Sequence, residues 1–280
     1  YFSSELVQNG NFSELGSEII PDPNFDTDST SYWSIASTGG TPRATKSYIN
    51  SDEGKFMRLT YDIANGAAIN KGGLIVSGKS YRVTFRAKGT ANSAFASVGN
   101  NGDLGTVISN LTLTTSFQDY EFYITATQTT FRLYLSTNSV NIGDTLDIDN
   151  VSVKQVDPND RWTLETGWSY GNNRLNFTTA GSSNRACSSS AGITNGKTYK
   201  LSFNVLSISA GQVSLRFGGM AGVDEITATS TGVHSGIITA NSSANGNVQI
   251  EDNDNNFVGS ITDVSVVEVQ GDRPRLSYDI

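Results

Sequence analysis

The sequence predicts an all-β protein of two antiparallel β-sandwiches in tandem, and three observations carry the prediction. Apolar residues make up 36% of the 280 and charged residues 16%, with 28 Gly and only 5 Pro, a mixture that suits short strands joined by turns. Gly78 to Phe85 matches Gly196 to Phe203 in order, 118 positions later, and Ile148 to Val153 matches Ile261 to Val266 at a close offset. Two matches in register indicate a duplicated domain. Helical periodicity with caps is missing throughout.

The opening stretch holds a small repeat: Glu5 to Phe12 resembles Glu18 to Phe25, each an extended segment ending in a turn and an aromatic. The second copy is expected to open the first sandwich, and the first to be an extra edge strand or an arm toward a neighbouring subunit. In the strand after Gly78, Tyr81, Val83, Phe85 and Ala87 alternate with Arg82, Thr84, Arg86 and Lys88, a half-buried pattern; Tyr199, Leu201, Phe203 and Val205 supply the same inward face later. Ile148 lies three residues from Val151, which period-two alternation cannot place on one face, so a β-bulge is expected near Asp149 and Asn150. Ile261 and Val264 show the same step. Further strands are read at 55–61, 105–109, 119–126 and 130–136, and at 174–178, 212–217, 232–240 and 247–251, separated by Gly-, Asn- and Asp-rich turns. Residues 1–17 are thus the expected arm, 18–156 the first sandwich and 157–270 the second, joined at Val156 to Asp160. Residues 271–280 read as a linker toward a further C-terminal domain.

Net charge is −8 and divides evenly: residues 1–156 hold 11 basic and 15 acidic groups, residues 157–280 hold 8 and 12. An evenly acidic surface without Lys/Arg runs argues against nucleic acid as partner, and no apolar run approaches the ~20 residues of a membrane span. The chain opens at Tyr1 without a charged-then-apolar leader, so a signal segment is expected to be absent or already removed. Cys187, the one cysteine, has no intrachain partner and no local base; it reads as a small packed residue.

Chemistry is sparse. His234, the one histidine, reads as a surface strand residue, which leaves no material for a Ser/His/Asp triad or a histidine zinc site. The adjacent acids at Asp52, Asp224 and Glu251 lie at turns or strand ends and read as solvated loop charge rather than a glycosidase pair. Two oxygen-rich clusters suit a hard cation or plain turn chemistry: Asp22, Asn24, Asp147, Asp149 and Asn150, and separately Glu251, Asp252 and Asp254. Trp33, Trp162 and Trp168 read as core plugs. Tyr61, Tyr123 and Tyr134 are the candidates for an open glycan- or partner-binding face, since Tyr123 and Tyr134 alternate away from Phe122 and Leu133.

On these residues both units resemble the jelly-roll carbohydrate-binding-module superfamily. Its opening Leu-Val-x-Asn-Gly-x-Phe segment is similar to Leu6 to Phe12 and, with Pro23 for Gly, to Ile19 to Phe25; its closing strand is similar to Asp149 to Val153 and Asp263 to Val266. The resemblance implies a structural calcium at Asp22, Asn24 and Asp149, and leaves the second domain without an opening segment of its own. Asn159 to Leu164, Gly167 to Tyr170 and Arg273 to Tyr278 resemble segments of bacteriophage tail fibres and other virion appendages. That resemblance implies a non-catalytic structural or adhesin component of a virion, partnered with itself as a homotrimer or other symmetric oligomer, with other virion proteins and with host surface polysaccharide. An extracellular particle assembled in a reducing cytoplasm also accounts for the lack of disulfides. The alternative is an accessory carbohydrate-binding module of a secreted bacterial polysaccharide-degrading enzyme.

Overall fold

The computed structural model describes residues 1–35, 37–38, 41–62, 67–90, 95–99, 107–108, 113–136, 141–178, 185–188, 190–220, 224–252 and 254–271. Among them regular structure is β-strand throughout, apart from one 3-10 turn at Thr30–Tyr32, and every pairing is antiparallel. No helix of the described residues is long and apolar enough to cross a membrane.

The chain divides into two compact units, Leu15–Val156 and the combination of Tyr1–Glu14 with Asp157–Ile280. We call them the inserted and the split unit. The inserted unit begins with β1 (Leu15–Glu18), β2 (Ser34–Ile35), β3 (Ser37–Thr38), β4 (Thr41–Pro42), β5 (Ala44–Ser51), β6 (Gly54–Tyr61) and β7 (Ala67–Lys71). It continues with β8 (Ser80–Gly89), β9 (Phe95–Gly99), β10 (Val107–Ile108), β11 (Gln118–Thr125), β12 (Phe131–Ser136) and β13 (Thr145–Val156). One sheet runs β11-β8-β13-β6-β5, with β1 added against β13, and the other runs β10-β9-β12-β7-β2. Met57, Leu59, Val83 and Phe85 from the first meet Ile69, Phe131 and Leu133 from the second in one core plugged by Trp33, which is the sandwich that strict alternation along β8 requires.

The split unit holds β14 (Trp162–Leu164), β15 (Trp168–Tyr170), β16 (Leu175–Phe177), β17 (Arg185–Ser188) and β18 (Thr198–Ala210). After them come β19 (Val213–Phe217), β20 (Ile226–Ala228), β21 (Gly232–Thr239), β22 (Val248–Asp252) and β23 (Val258–Glu268). Its sheets run β21-β18-β23-β16-β15 and β20-β19-β22-β17-β14, the same order of equivalent strands as in the inserted unit. The Tyr199 ring of one sheet meets Phe217 of the other edge-on at 5.3 Å, and Trp162 and Trp168 are buried.

The bulge occurs in both closing strands. Asp149 pairs with Arg86 and Ser152 with Thr84, so Asn150 and Val151 together oppose Phe85; in β23, Asp263 and Val264 oppose Phe203. Asn150 (φ 52°) and Asp263 (φ 53°) take the left-handed conformation that the extra residue demands. Val151 and Val264 then point inward, both buried.

The division of the chain differs from the expected one, because residues 1–14 pack with the C-terminal half. Ser3 N donates to Glu268 O and Leu6 N to Val266 O, each at 3.0 Å, and Gly10 O accepts from Val264 N at 2.9 Å. Glu5 accepts from Leu6 N, Val7 N and Val266 N through Oε1 and from Ser265 Oγ through Oε2. Glu18 repeats this in the inserted unit with Ile19 N, Ile20 N, Val153 N and Ser152 Oγ, and Pro23 O accepts from Val151 N at 2.8 Å. The small N-terminal repeat is therefore one opening segment per sandwich, and the opening segment missing from the second domain is Glu5 to Phe12. Gly10 is required there, since a Cβ at that position would collide with the Val264 carbonyl.

Candidate functional site

At the opening turn of the inserted unit, the backbone brings Pro23 against the bulge, but Asp22 and Asp149 turn to other work. Asp22 Oδ1 accepts from Asp26 N at 2.9 Å and its Oδ2 from Thr27 N at 3.2 Å and Thr27 Oγ1 at 2.9 Å. Desolvation pulls its pKa upward, yet the combined bonds from Thr27 and Asp26 hold the carboxyl below its ordinary value. Asp149 Oδ1 accepts from Asn150 N at 2.7 Å and Oδ2 lies 3.7 Å from Arg86 Nη1, with desolvation raising its pKa. Asn24 is exposed. The second cluster disperses likewise: Glu251 turns to Arg216, Asp252 Oδ1 accepts from Asn256 N and Phe257 N, and Asp254 Oδ1 accepts from Gln212 N. Among the described residues no three His, Cys, Asp or Glu side chains are grouped to hold an ion. Asp22, Asn24 and Asp149 thus do not form a ready calcium cage, because a cation would have to open the Asp22 turn and displace Arg86 from Asp149. Adding calcium or a chelator is expected to leave the thermal midpoint unchanged; a midpoint that rises with calcium concentration would overturn this.

The three tyrosines do not share a face. Tyr61 is buried in the core, because β6 turns Met57, Leu59 and Tyr61 inward together, which corrects its reading as an open residue. Tyr123 is half-buried on the outward side of edge strand β11, opposite Arg82 in register. Tyr134 belongs to β12 of the other sheet, and its side chain lies outside the described residues.

The outward face of β11, β8, β13 and β6 carries an open, charged surface. Its rows are Asp119 and Glu121, then Arg82, Thr84, Arg86 and Lys88, then Asp147 and Asp149, then Phe56 and Arg58. A groove of about 360 Å³ opens along it, lined by Arg82, Thr84, Arg86, Asp119, Glu121 and Asn150, with Tyr120 at its side. Arg82 Nη2 meets Glu121 Oε2 at 2.5 Å, and Arg86 Nε lies 3.6 Å from Asp119 Oδ1. The Arg82 bond holds Glu121 below its ordinary carboxyl range. A smaller hollow of about 130 Å³ continues beside Arg58, Lys88 and Asp147. There Arg58 grips Asp147 with two bonds, Nε to Oδ1 at 2.6 Å and Nη2 to Oδ2 at 2.8 Å. Phe56 and Phe117 stack edge-on at 5.4 Å beneath cations, with Arg86 4.8 Å and Lys88 4.9 Å from the Phe117 ring. Glu121 is thus held in a close ion pair with Arg82, whereas Asp119 stays exposed to solvent beside Arg86.

A third polar feature escapes sequence reading. In the split unit, β19 and β22 are buried on both faces. Ser214, Arg216, Gln249 and Glu251, which alternation assigns to solvent, lie at most 6% exposed. Arg216 Nε donates to Glu251 Oε2 at 2.6 Å, while Arg216 Nη1 is buried without a hydrogen-bond partner. His234 sits half-buried against the Phe203 ring at 5.7 Å, its Nε2 2.9 Å from Ser230 O. The Cys187 side chain lies outside the described residues.

No protein-family model matches the chain, and no curated protein does. Among solved structures, it is similar to the N-terminal CBM22-1–CBM22-2 tandem domain of Paenibacillus barcinonensis Xyn10C, at 11% identity and TM-score 0.40, covering 92% of this chain and 99% of that one. A CBM4 structure is 19% identical over 47% of this chain and 99% of its own, at TM-score 0.35. The enzymatically active domain of tailspike protein 4 from bacteriophage CBA120 is 17% identical over 54% of this chain and 21% of its own, at TM-score 0.33. At these distances the likenesses carry no argument about function, which rests on the geometry.

Proposed function

We propose that the chain is a non-catalytic binding protein whose inserted sandwich takes a neutral glycan along the groove over β8 and β11. The observation that supports this reading is the groove itself: two arginines and two carboxylates set side by side in a neutral row. Fixed planar groups offer hydrogen-bond partners to adjacent sugar hydroxyls, and the Tyr123 ring, on the same outward face opposite Arg82, offers an apolar surface to a sugar's C–H face. With charges balanced, the groove exerts little net pull on an anionic ligand.

A glycan array followed by calorimetry tests this. Arg82→Ala is expected to weaken binding about tenfold or more, since a hydrogen bond to a charged group contributes ~1.5–3 kcal/mol, whereas Lys55→Ala, away from the groove, is expected to leave it unchanged. Unaltered affinity in a normally melting Arg82→Ala protein would overturn the assignment. For the setting, the tail-fibre resemblance of residues 159–170 favours a component of a virion appendage, assembled with itself and other virion proteins and bound to host surface polysaccharide. The accessory module of a secreted polysaccharide-degrading enzyme is the second reading. A monomer with measurable affinity for a plant or algal glucan would favour the second and sink the first.

A further inference from the structure

The two edge strands β11 and β21 occupy the same position at the end of equivalent sheets, and both are eight residues long. Their chemistry differs. The outward row of β11 includes Asp119 and Glu121, charges of the kind that keep an open sheet edge from pairing with another chain. β21 reads Gly232, Val233, His234, Ser235, Gly236, Ile237, Ile238, Thr239, with no Lys, Arg, Asp, Glu or Pro. Its outward row includes Val233 and Ile237, 73% and 67% exposed, while Ile238 is buried and His234 turns inward to Phe203. One side of the strand is hydrogen-bonded to β18 along its whole length, and the other pairs with no strand among the described residues.

We propose that β21 is the self-association edge of this protein, pairing antiparallel with β21 of a second copy about a two-fold axis. A two-fold centred on Ser235 places Val233 of each copy directly opposite Ile237 of the other. Both residues lie on the same outward face, so the joined sheet carries two cross-strand Val–Ile pairs, one on each side of a central Ser235 pair, from a strand that is self-complementary in pattern. No like charges meet across the seam, because the strand has none. A pairing of β11 about Glu121, the residue equivalent to Ser235, would set Glu121 directly against its own copy, a like-charge contact that β21 avoids.

Sedimentation velocity over a concentration series, on the full chain, tests this. The wild type is expected to shift reversibly from one to two chain masses. Ile237→Lys is expected to hold it at one mass, and Asp119→Lys on β11 to leave the dimer intact. Val233→Ser with Ile237→Ser serves as a second, uncharged variant, checked by an unchanged thermal midpoint. Amide hydrogen exchange adds an independent readout, with β21 more protected in the dimer than in the monomer. A wild type that stays monomeric at every concentration, or an oligomer of any size that survives both sets of substitutions, would overturn the proposal.

Discussion

Deletion of residues 1–14 is expected to abolish the cooperative melting of the split unit while the inserted unit still folds. Val7 and Phe12 are buried in that segment, and Phe12 packs on Trp162 at 5.1 Å and Tyr170 at 6.4 Å. Asn9 Nδ2 donates at 3.1 Å to Asp157, a buried carboxylate that also accepts from Trp162 N and from the Tyr170 hydroxyl. Burial and the Asp157 charge drive the Tyr170 hydroxyl far above its ordinary pKa, so it remains a donor to that carboxylate. Losing a buried Phe costs about 3–5 kcal/mol, and leaving Asp157 short of a donor adds about 1–3 kcal/mol. Against a domain stability of roughly 5–15 kcal/mol, the loss of the whole segment is decisive. The inserted unit keeps Glu18 and its own β1, and its two ends, Leu15 and Val156, are paired strand to strand. Calorimetry of the full chain against residues 15–280 checks this; retention of the split unit's transition in the truncated protein would refute the shared-unit assignment.

The second large effect is expected at Glu251. Removing one partner of a buried ion pair leaves an uncompensated charge, and Arg216 is 1% exposed, so Glu251→Ala is expected to cost about 3–5 kcal/mol. Arg216 Nη1 already lacks a hydrogen-bond partner among the described residues, so the substitution leaves the buried guanidinium still less satisfied. Replacing both residues with apolar ones of similar volume, Arg216→Met with Glu251→Leu, is expected to recover most of that loss. Denaturant midpoints for the three proteins provide the measurement. A single substitution costing less than about 1 kcal/mol would mean that the pair is solvated and the buried row has been misjudged.

Much of the fold was legible because alternation is a local signal. The inward row of β8, the matching row of β18 and the three-residue step of the closing strands follow from side-chain sterics within a few residues. Each was found where expected. Strands such as Ala44–Ser51 and Ala67–Lys71 were not, since Lys46, Ser47 and Asn70 dilute their pattern and only their neighbours hold them extended. Of the candidate site residues, Tyr123 and Asp149 lie on the outward sheet face that carries the proposed groove, whereas Tyr61 turned inward and Asp22 closed a turn.

By itself the sequence determined the class, the duplication and the bulge, all consequences of period-two packing read along one strand at a time. It also contained the repeat of Glu5 to Phe12 and Glu18 to Phe25, but not the partner of each copy. That was decided by tertiary structure, because Glu5 finds Val266 and Glu18 finds Val153 across long stretches of chain, with the same glutamate bonds in both. The same holds for the second face of β19 and β22: alternation separates two faces but cannot say that both are buried, since what covers a face is set by residues remote in the chain.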